Sequence, residues 1–127
     1  MHETKFCKFW TEGDILFSIY KRIPFLDIHI AKDIVASRLK FQEGKKYFIY
    51  CDTRGIIDSS KAARDYLAID GSILTYKVAI FDNRKFANVM LKYYLFRNDP
   101  SVPTAIFEDR DEAIIYLKYT QENYKKS

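Results

Sequence analysis

The sequence predicts an α/β domain over residues 1–127, with a small mixed β-sheet and helices packed against it. Two observations predict this class. Short apolar runs of strand length alternate with longer segments of helical spacing, in the order ββαβαβαβα. Only 4 glycines and 3 prolines interrupt a chain that is 48% hydrophobic and 30% charged, so most residues are expected in regular elements. Strands that alternate with helices favour a largely parallel sheet.

The first two strands are predicted as an antiparallel hairpin. They cover about 5–10 and 14–21, and residues 11–14 between them have the composition of a tight turn. Asp27 is then placed to cap a first helix, whose apolar residues recur at helical spacing. Gly44 is expected to end this helix.

The central strand and the second helix are predicted for the middle of the chain. Residues 47–51 form a continuous apolar run, which is typical of a strand buried on both faces. A polar loop follows, and Ser59 or Ser60 can cap a helix that runs to Tyr66 or Ile69. Residues 72–81 are predicted as the next strand.

Three further elements complete the predicted order. Asp82 is expected to cap a third helix over about 84–97, and residues 103–107 supply a short edge strand. Asp109, with a glutamate three residues later, resembles a capping box and opens a final helix to about residue 119.

The third helix carries more apolar surface than a helix resting on a sheet needs. At about 100° per residue its polar residues fall in one narrow wedge. One flank of this wedge comprises Phe86, Val89, Met90, Tyr93 and Phe96. Two interpretations remain open: neighbouring elements cover the surplus, or the face is a self-association or ligand-facing surface.

The charge distribution and the absence of targeting patterns limit the partners and the location that we expect for the protein. The net charge of +4 comes from scattered basic pairs rather than a contiguous stripe, so we expect no nucleic-acid partner. No apolar run approaches the length of a membrane span, and the N-terminus lacks the pattern of a signal peptide. With only 2 cysteines, a disulfide framework is not expected, which favours the cytoplasm.

The residues that carry common catalytic chemistry are sparse. His2, His29, Cys7 and Cys51 have no metal-ligand spacing, so we expect no metal and no cofactor. Neither a nucleophile elbow nor a glycine-rich phosphate loop is present. The sequence therefore favours a protein that is not an enzyme.

The loop between the central strand and the second helix is the main candidate site. Its strand delivers Asp52 to the carboxyl end, where ligands tend to bind in α/β sheets, and Arg54 and Asp58 are expected to face a partner with it. Ser59 and Ser60 open the helix, where a phosphate would be stabilised by free N–H groups. The alternative is a structural role. Asp58, Ser59 or Ser60 then caps the helix, and Asp52 and Arg54 stabilise the loop.

The segment Ile57-Asp58-Ser59-Ser60 resembles the STAS superfamily of anti-sigma-factor antagonists. In those proteins an Asp-Ser-Ser or Asp-Ser-Thr sequence opens a helix, and a serine is phosphorylated by a partner kinase. The resemblance implies that Ser59 is a phosphoacceptor.

A group of small bacterial STAS-like proteins of unknown function, common in Bacteroidetes, is more similar still. The shared pieces are 51–56, 63–67 and 103–117. This resemblance implies a SpoIIAA-like fold and a regulatory module that binds a protein partner or itself as a homodimer. Related CRAL-TRIO domains keep an alternative open, a carrier of an apolar small molecule or lipid. A regulator should have a filled core and a flat apolar patch, and a carrier should have a closed apolar cavity.

Overall fold

The computed structural model describes residues 1–98 and 100–126, including their side chains except at 88, 93–98 and 120–126. The strands are β1 (His2–Glu3), β2 (Cys7–Glu12), β3 (Ile15–Tyr20), β4 (Tyr47–Asp52), β5 (Thr75–Phe81) and β6 (Thr104–Phe107). The helices are α1 (Ile28–Gln42), α2 (Lys61–Ile69), α3 (Lys85–Asn98) and α4 (Arg110–Lys126). A 3-10 turn, Asp70–Ser72, follows α2.

The strands form one sheet in the order β1-β2-β3-β4-β5-β6. The pairs β1–β2 and β2–β3 are antiparallel, and the three remaining pairs are parallel. Each parallel connection contains a helix. A strand order that advances in one direction, with connections of the usual right hand, puts such helices on one side of the sheet.

Two hydrophobic clusters lie on opposite faces of the sheet. On the face that α4 covers, here called the α4 face, Phe17, Tyr50 and Phe81 pack against Ala113 and Leu117 of the helix. The other face, here called the α1/α2 face, buries sheet residues against both of those helices. This second cluster includes Leu16 and Ile49 from the sheet, Ala31 and Ile34 from α1, and Ala63 from α2.

The predicted α/β class and element order are confirmed, with β1 as an additional short strand. Strand β2 begins at Cys7, later than expected, because the Thr4 hydroxyl accepts the N–H groups of Phe6 and Cys7 in a turn after β1. Strand β5 begins at Thr75 rather than 72, since the 3-10 turn and the left-handed Leu74 (φ 57°) precede it.

The predicted helix starts have mixed outcomes. Side chains of Asp27, Ser60 and Asp109 accept the N–H groups of Ile30 (2.8 Å), Ala63 (3.1 Å) and Glu112 (3.0 Å), as expected of caps. Asp82 instead lies three residues before α3 and accepts the N–H of Arg84 at 3.0 Å.

The final helix is longer than predicted. It continues to Lys126, because no glycine or proline follows its start to break it. No helix in the described part of the chain is both long and apolar enough to cross a membrane.

Candidate functional site

The backbone of the loop after β4 pairs in parallel with the segment that follows β3. Backbone N–H groups of Ile23 and Leu26 donate to the carbonyls of Gly55 (2.9 Å) and Asp58 (2.8 Å). Ile57 and Ser60 donate back to Ile23 (2.9 Å) and Leu26 (3.0 Å). These four bonds fix the loop backbone before any side chain contributes.

Gly55 permits this close pairing. A Cβ atom at this position would lie 2.3 Å from the Lys21 carbonyl oxygen and 2.4 Å from that of Tyr20. Because the obstruction is backbone, no side-chain rotation would relieve it. Only glycine therefore fits where the loop crosses the end of β3.

Asp52 and Arg54 form a fork at the start of the loop. The Arg54 side chain donates from Nε to Oδ1 (3.1 Å) and from Nη2 to Oδ2 (2.9 Å), and its backbone N–H also donates to Oδ1 (3.1 Å). The Arg54 guanidinium lies 4.8 Å from the centre of the Phe81 ring. Asp52 is only 5% exposed, so it supports Arg54 and does not itself offer a carboxylate to a partner.

The same arrangement is repeated after β5. Arg84 donates to Asp82 from its backbone N–H (3.0 Å), from Nε (3.0 Å) and from Nη2 (2.7 Å). Asp82 is fully buried and also accepts from the Thr53 hydroxyl at 2.8 Å. The Arg84 guanidinium reaches the loop carbonyls of Ile56 (2.7 Å) and Thr53 (3.1 Å). Arg84 thus ties two crossover loops together.

Electrostatics reinforce both forks. Burial acts to raise the pKa of Asp82, but hydrogen bonds from Arg84 and Thr53 outweigh it and hold the pKa below its ordinary value. The pKa values of Arg54 and Arg84 are raised, chiefly by their hydrogen bonds to Asp52 and Asp82. Asp82 therefore remains ionised, and both arginines remain charged.

The serine pair divides into two roles. Ser60 is the N-cap of α2. Ser59 is partly buried, and its Oγ and carbonyl oxygen accept from Nη1 of Arg64 at 3.1 and 2.8 Å. Asp58 is exposed and accepts the backbone N–H of Ser59 at 2.8 Å. The loop thus presents Arg54, Ile57 and Asp58 to solvent, and Ser59 lies directly before the N-cap of α2.

A cavity of about 620 Å³ lies between the α1/α2 face of the sheet and helices α1, α2 and α3. Its floor includes Cys51, Val78 and Ile80, which remain partly accessible although they stand on central strands. Its outer wall includes Phe86 and Met90 of α3. A volume of this size is within the range of small-molecule sites.

The predicted contact face of α3 is exposed where the structure describes it. Phe86, Val89 and Met90 are 80%, 63% and 49% exposed. Tyr93 and Phe96, which belong to the same predicted face, have side chains outside the described residues. The molecule therefore has an exposed apolar patch, as expected of a regulator, together with an apolar cavity that is partly open rather than closed as expected of a carrier.

Both cysteines are free thiols. Burial raises the pKa of Cys7, and it raises the pKa of Cys51 to about 12, so neither thiol is a ready nucleophile. Among the described residues, no group of three or more histidine, cysteine or acidic side chains is placed to hold a metal ion. His29 is exposed on α1.

The model of a domain of unknown function, DUF7793, matches residues 9–121. The chain belongs to the DUF7793 family. Among solved structures, this DUF7793 protein is similar to an uncharacterized protein of the DUF3478 family with a SpoIIAA-like fold from Shewanella loihica PV-4. The two share 13% identity with a TM-score of 0.61, over 92% of this chain and 98% of the other. No curated protein matches. The predicted SpoIIAA-like fold is thereby confirmed.

The sequence analysis identified the loop but not two arginines that line the cavity, Arg84 and Arg38. Arg84 had a visible signal, since Asp82-Asn83-Arg84 repeats the spacing of Asp52-Thr53-Arg54 at the end of the adjacent parallel strand. Arg38 had none. Its position in α1 is compatible with an exposed residue, and only the packed structure shows it buried at the cavity wall.

Proposed function

We propose that this DUF7793 protein is a single-domain, non-enzymatic regulatory module of the cytoplasm that acts through protein contacts. The observation that carries the proposal is the pre-ordered loop, which exposes Ile57 (56%) between the charged Arg54 and Asp58 on a fixed backbone. A fixed surface of this kind binds with little loss of conformational entropy. The SpoIIAA-like fold of its structural neighbour agrees with such a role.

Ser59 is the proposed phosphoacceptor of this surface. A phosphate on its Oγ would lie at the N-terminus of α2, beside the Arg64 guanidinium that already contacts that oxygen. Ser60 is occupied as the cap, so its modification would remove the bond to Ala63. The geometry therefore favours Ser59 over Ser60 as the position that changes charge without breaking the helix.

Two measurements test the loop proposal. Mass spectrometry of the protein recovered from its native cells is expected to find phosphate on Ser59 and none on Ser60. In the matched pair of variants, Ser60→Ala should lower the free energy of unfolding by about 1 kcal/mol, and Ser59→Ala by clearly less. Phosphate absent from Ser59 under all growth conditions would contradict the switch.

The exposed face of α3 supports self-association, which we propose as a homodimer. Val89→Glu would place a charge in the centre of this face. Sedimentation velocity should show a dimer for the wild type and a monomer for Val89→Glu. Ile115→Glu is the matched control, because Ile115 is 64% exposed on α4 and should leave the dimer intact. A monomeric wild type at all accessible concentrations would exclude the dimer.

The cavity favours a second candidate function, a carrier of an apolar small molecule. It is bounded by Ile49, Val78 and Ile80 of the sheet and opens past exposed side chains of α3. Native mass spectrometry of freshly purified protein is expected to show a co-purifying adduct that is lost after extraction with organic solvent. Protein of the bare chain mass alone would favour the contact module over the carrier.

A further inference from the structure

The inner wall of the cavity contains a buried positive charge. Arg38 is 5% exposed and lies among the cavity-lining residues. Its guanidinium donates from Nη2 to the carbonyls of Gly71 (3.0 Å) and Ile73 (3.2 Å), and from Nη1 to Oε1 of Gln42. All three acceptors are neutral. They orient the guanidinium and satisfy part of its donor capacity, but they do not cancel its charge.

The two buried acids, in contrast to Arg38, each have an ion-pair partner. Three charged residues are buried in the described part of the chain: Arg38, Asp52 and Asp82. Each of the two acids is held by an arginine two residues away. None of the ion pairs among described residues includes Arg38. Since a buried charge is normally paired, Arg38 is the exception that calls for an anion.

The surroundings of Arg38 favour an anion that enters through the cavity. The charged residues of the lining are four cations and one acid: Arg38, Lys61, Arg64, Arg84 and Asp58. Tyr20 and Cys51 lie close enough to Arg38 to interact with its charge. Burial raises the pKa of Tyr20 well above its ordinary value, so its hydroxyl stays protonated and able to donate.

A large part of the cavity wall is apolar. Ile49, Val78 and Ile80 form the sheet side, and Leu67 and Met90 contribute from α2 and α3. An apolar chain placed along these side chains would remove them from water. The cavity wall therefore combines a buried guanidinium, which suits a charged group, with an apolar surface that suits a hydrocarbon.

We propose that the cavity binds an amphipathic carboxylate, with the carboxylate at Arg38 and an apolar chain running along the sheet towards Met90. This inference rests on the second candidate function, the carrier, and deepens it by naming the ligand class. A guanidinium fixed by neighbouring carbonyls pairs with a carboxylate through short, charge-assisted hydrogen bonds. The loop surface and its serines take no part in this binding.

The first test uses the unaltered protein and a matched pair of probes, decanoate and decanol, which share a chain and differ in the charged head group. Titration calorimetry should show that decanoate binds at least about tenfold more tightly than decanol. Equal affinities would overturn the role of Arg38 but leave the carrier intact. Binding of neither probe would overturn both the carboxylate site and the carrier.

Two variants locate the site. Arg38→Gln should abolish the preference for decanoate over decanol, whereas Lys61→Gln, at an exposed cation of the lining, should retain it. Val78→Phe should weaken both probes at least about tenfold by occupying the cavity. Circular dichroism would verify that each variant is folded. A preference that survives in folded Arg38→Gln, or unchanged affinity in folded Val78→Phe, would overturn the proposed position.

Discussion

The two faces of the sheet are built from the same strands but are packed to different degrees. On the α4 face Phe17, Tyr50, Ala79 and Leu117 are at most 1% exposed, so this half of the core is filled. On the α1/α2 face alternate residues of the same strands, such as Cys51 and Val78, remain partly accessible and line a cavity. Both faces contain buried hydrophobic clusters, but only part of the α1/α2 face is packed closely, and the remainder borders the cavity.

The largest expected effect compares isoleucines on the two faces. Ile15 is 2% exposed in the cluster of the α4 face, whereas Ile80 borders the cavity. Ile15→Ala should lower the free energy of unfolding by about 3–5 kcal/mol, since it leaves a new cavity in a filled core. Ile80→Ala should lower it by about 1–2 kcal/mol, because its side chain already borders empty space. Equal losses in denaturant titrations would show that the two faces are packed alike.

The next effect concerns the two forks at the carboxyl ends of β4 and β5. Asp82→Asn should lower the free energy of unfolding by about 2–4 kcal/mol at neutral pH, because it removes the charge that Arg84 faces. Asp52→Asn should have a smaller effect, since its partner Arg54 is 48% exposed and more strongly screened.

The Asp82 contribution has a defined pH dependence. Its pKa is lowered in the folded protein from an ordinary value of 3.8. The contribution is therefore fully present above that value and is lost as the pH falls below it, through the lowered pKa of the folded state. The difference in stability between wild type and Asp82→Asn should shrink over the same interval. A difference that stays constant as the pH falls through the acidic range would show that the fork does not act through charge.

Substitutions by larger side chains also test the difference in packing between the two faces. Ala79 and Val78 are consecutive in β5 and point to opposite faces, the first into a filled core and the second into the cavity. Ala79→Leu should destabilise the protein by about 1–3 kcal/mol through overpacking. Val78→Phe should leave the melting temperature unchanged or raise it. Destabilisation of both variants by similar amounts would mean that the cavity cannot accept a larger group.

This asymmetry explains what the sequence could and could not predict. The order of elements along the chain, three of the helix caps and the loop after β4 follow from local patterns. The caps Asp27, Ser60 and Asp109 each act on a residue three positions away. The fork at Asp82 and Arg84 was accessible in principle, since it repeats the spacing of Asp52 and Arg54.

The cavity could not be predicted from the local sequence pattern. Cys51, Val78 and Ile80 belong to apolar runs that are typical of buried strands, and nothing in those runs distinguishes a covered face from an open one. Whether the face is filled depends on how α2 and α3 sit over the sheet. The burial of Arg38 depends on the same packing, because its acceptors Gly71 and Ile73 are far from it in sequence.

The smallest expected effect compares two tyrosine hydroxyls on opposite faces. Tyr50 is fully buried on the α4 face, and its hydroxyl has no hydrogen-bond partner among the described residues. Burial also raises its pKa to about 12, so the group stays neutral. Tyr50→Phe removes an unsatisfied polar group and should raise the free energy of unfolding by about 1 kcal/mol.

Tyr20→Phe is the matched control, because the Tyr20 side chain interacts with the Cys51 thiol beside the cavity. This variant should lower the free energy of unfolding by about 0.5–1 kcal/mol. Opposite signs for two chemically identical substitutions would show that the α4 face is packed to the exclusion of water and polar partners, whereas the α1/α2 face retains polar contacts around its cavity. A loss of stability in Tyr50→Phe would instead require a partner for its hydroxyl, and the α4 face would then be less tightly sealed than its burial indicates.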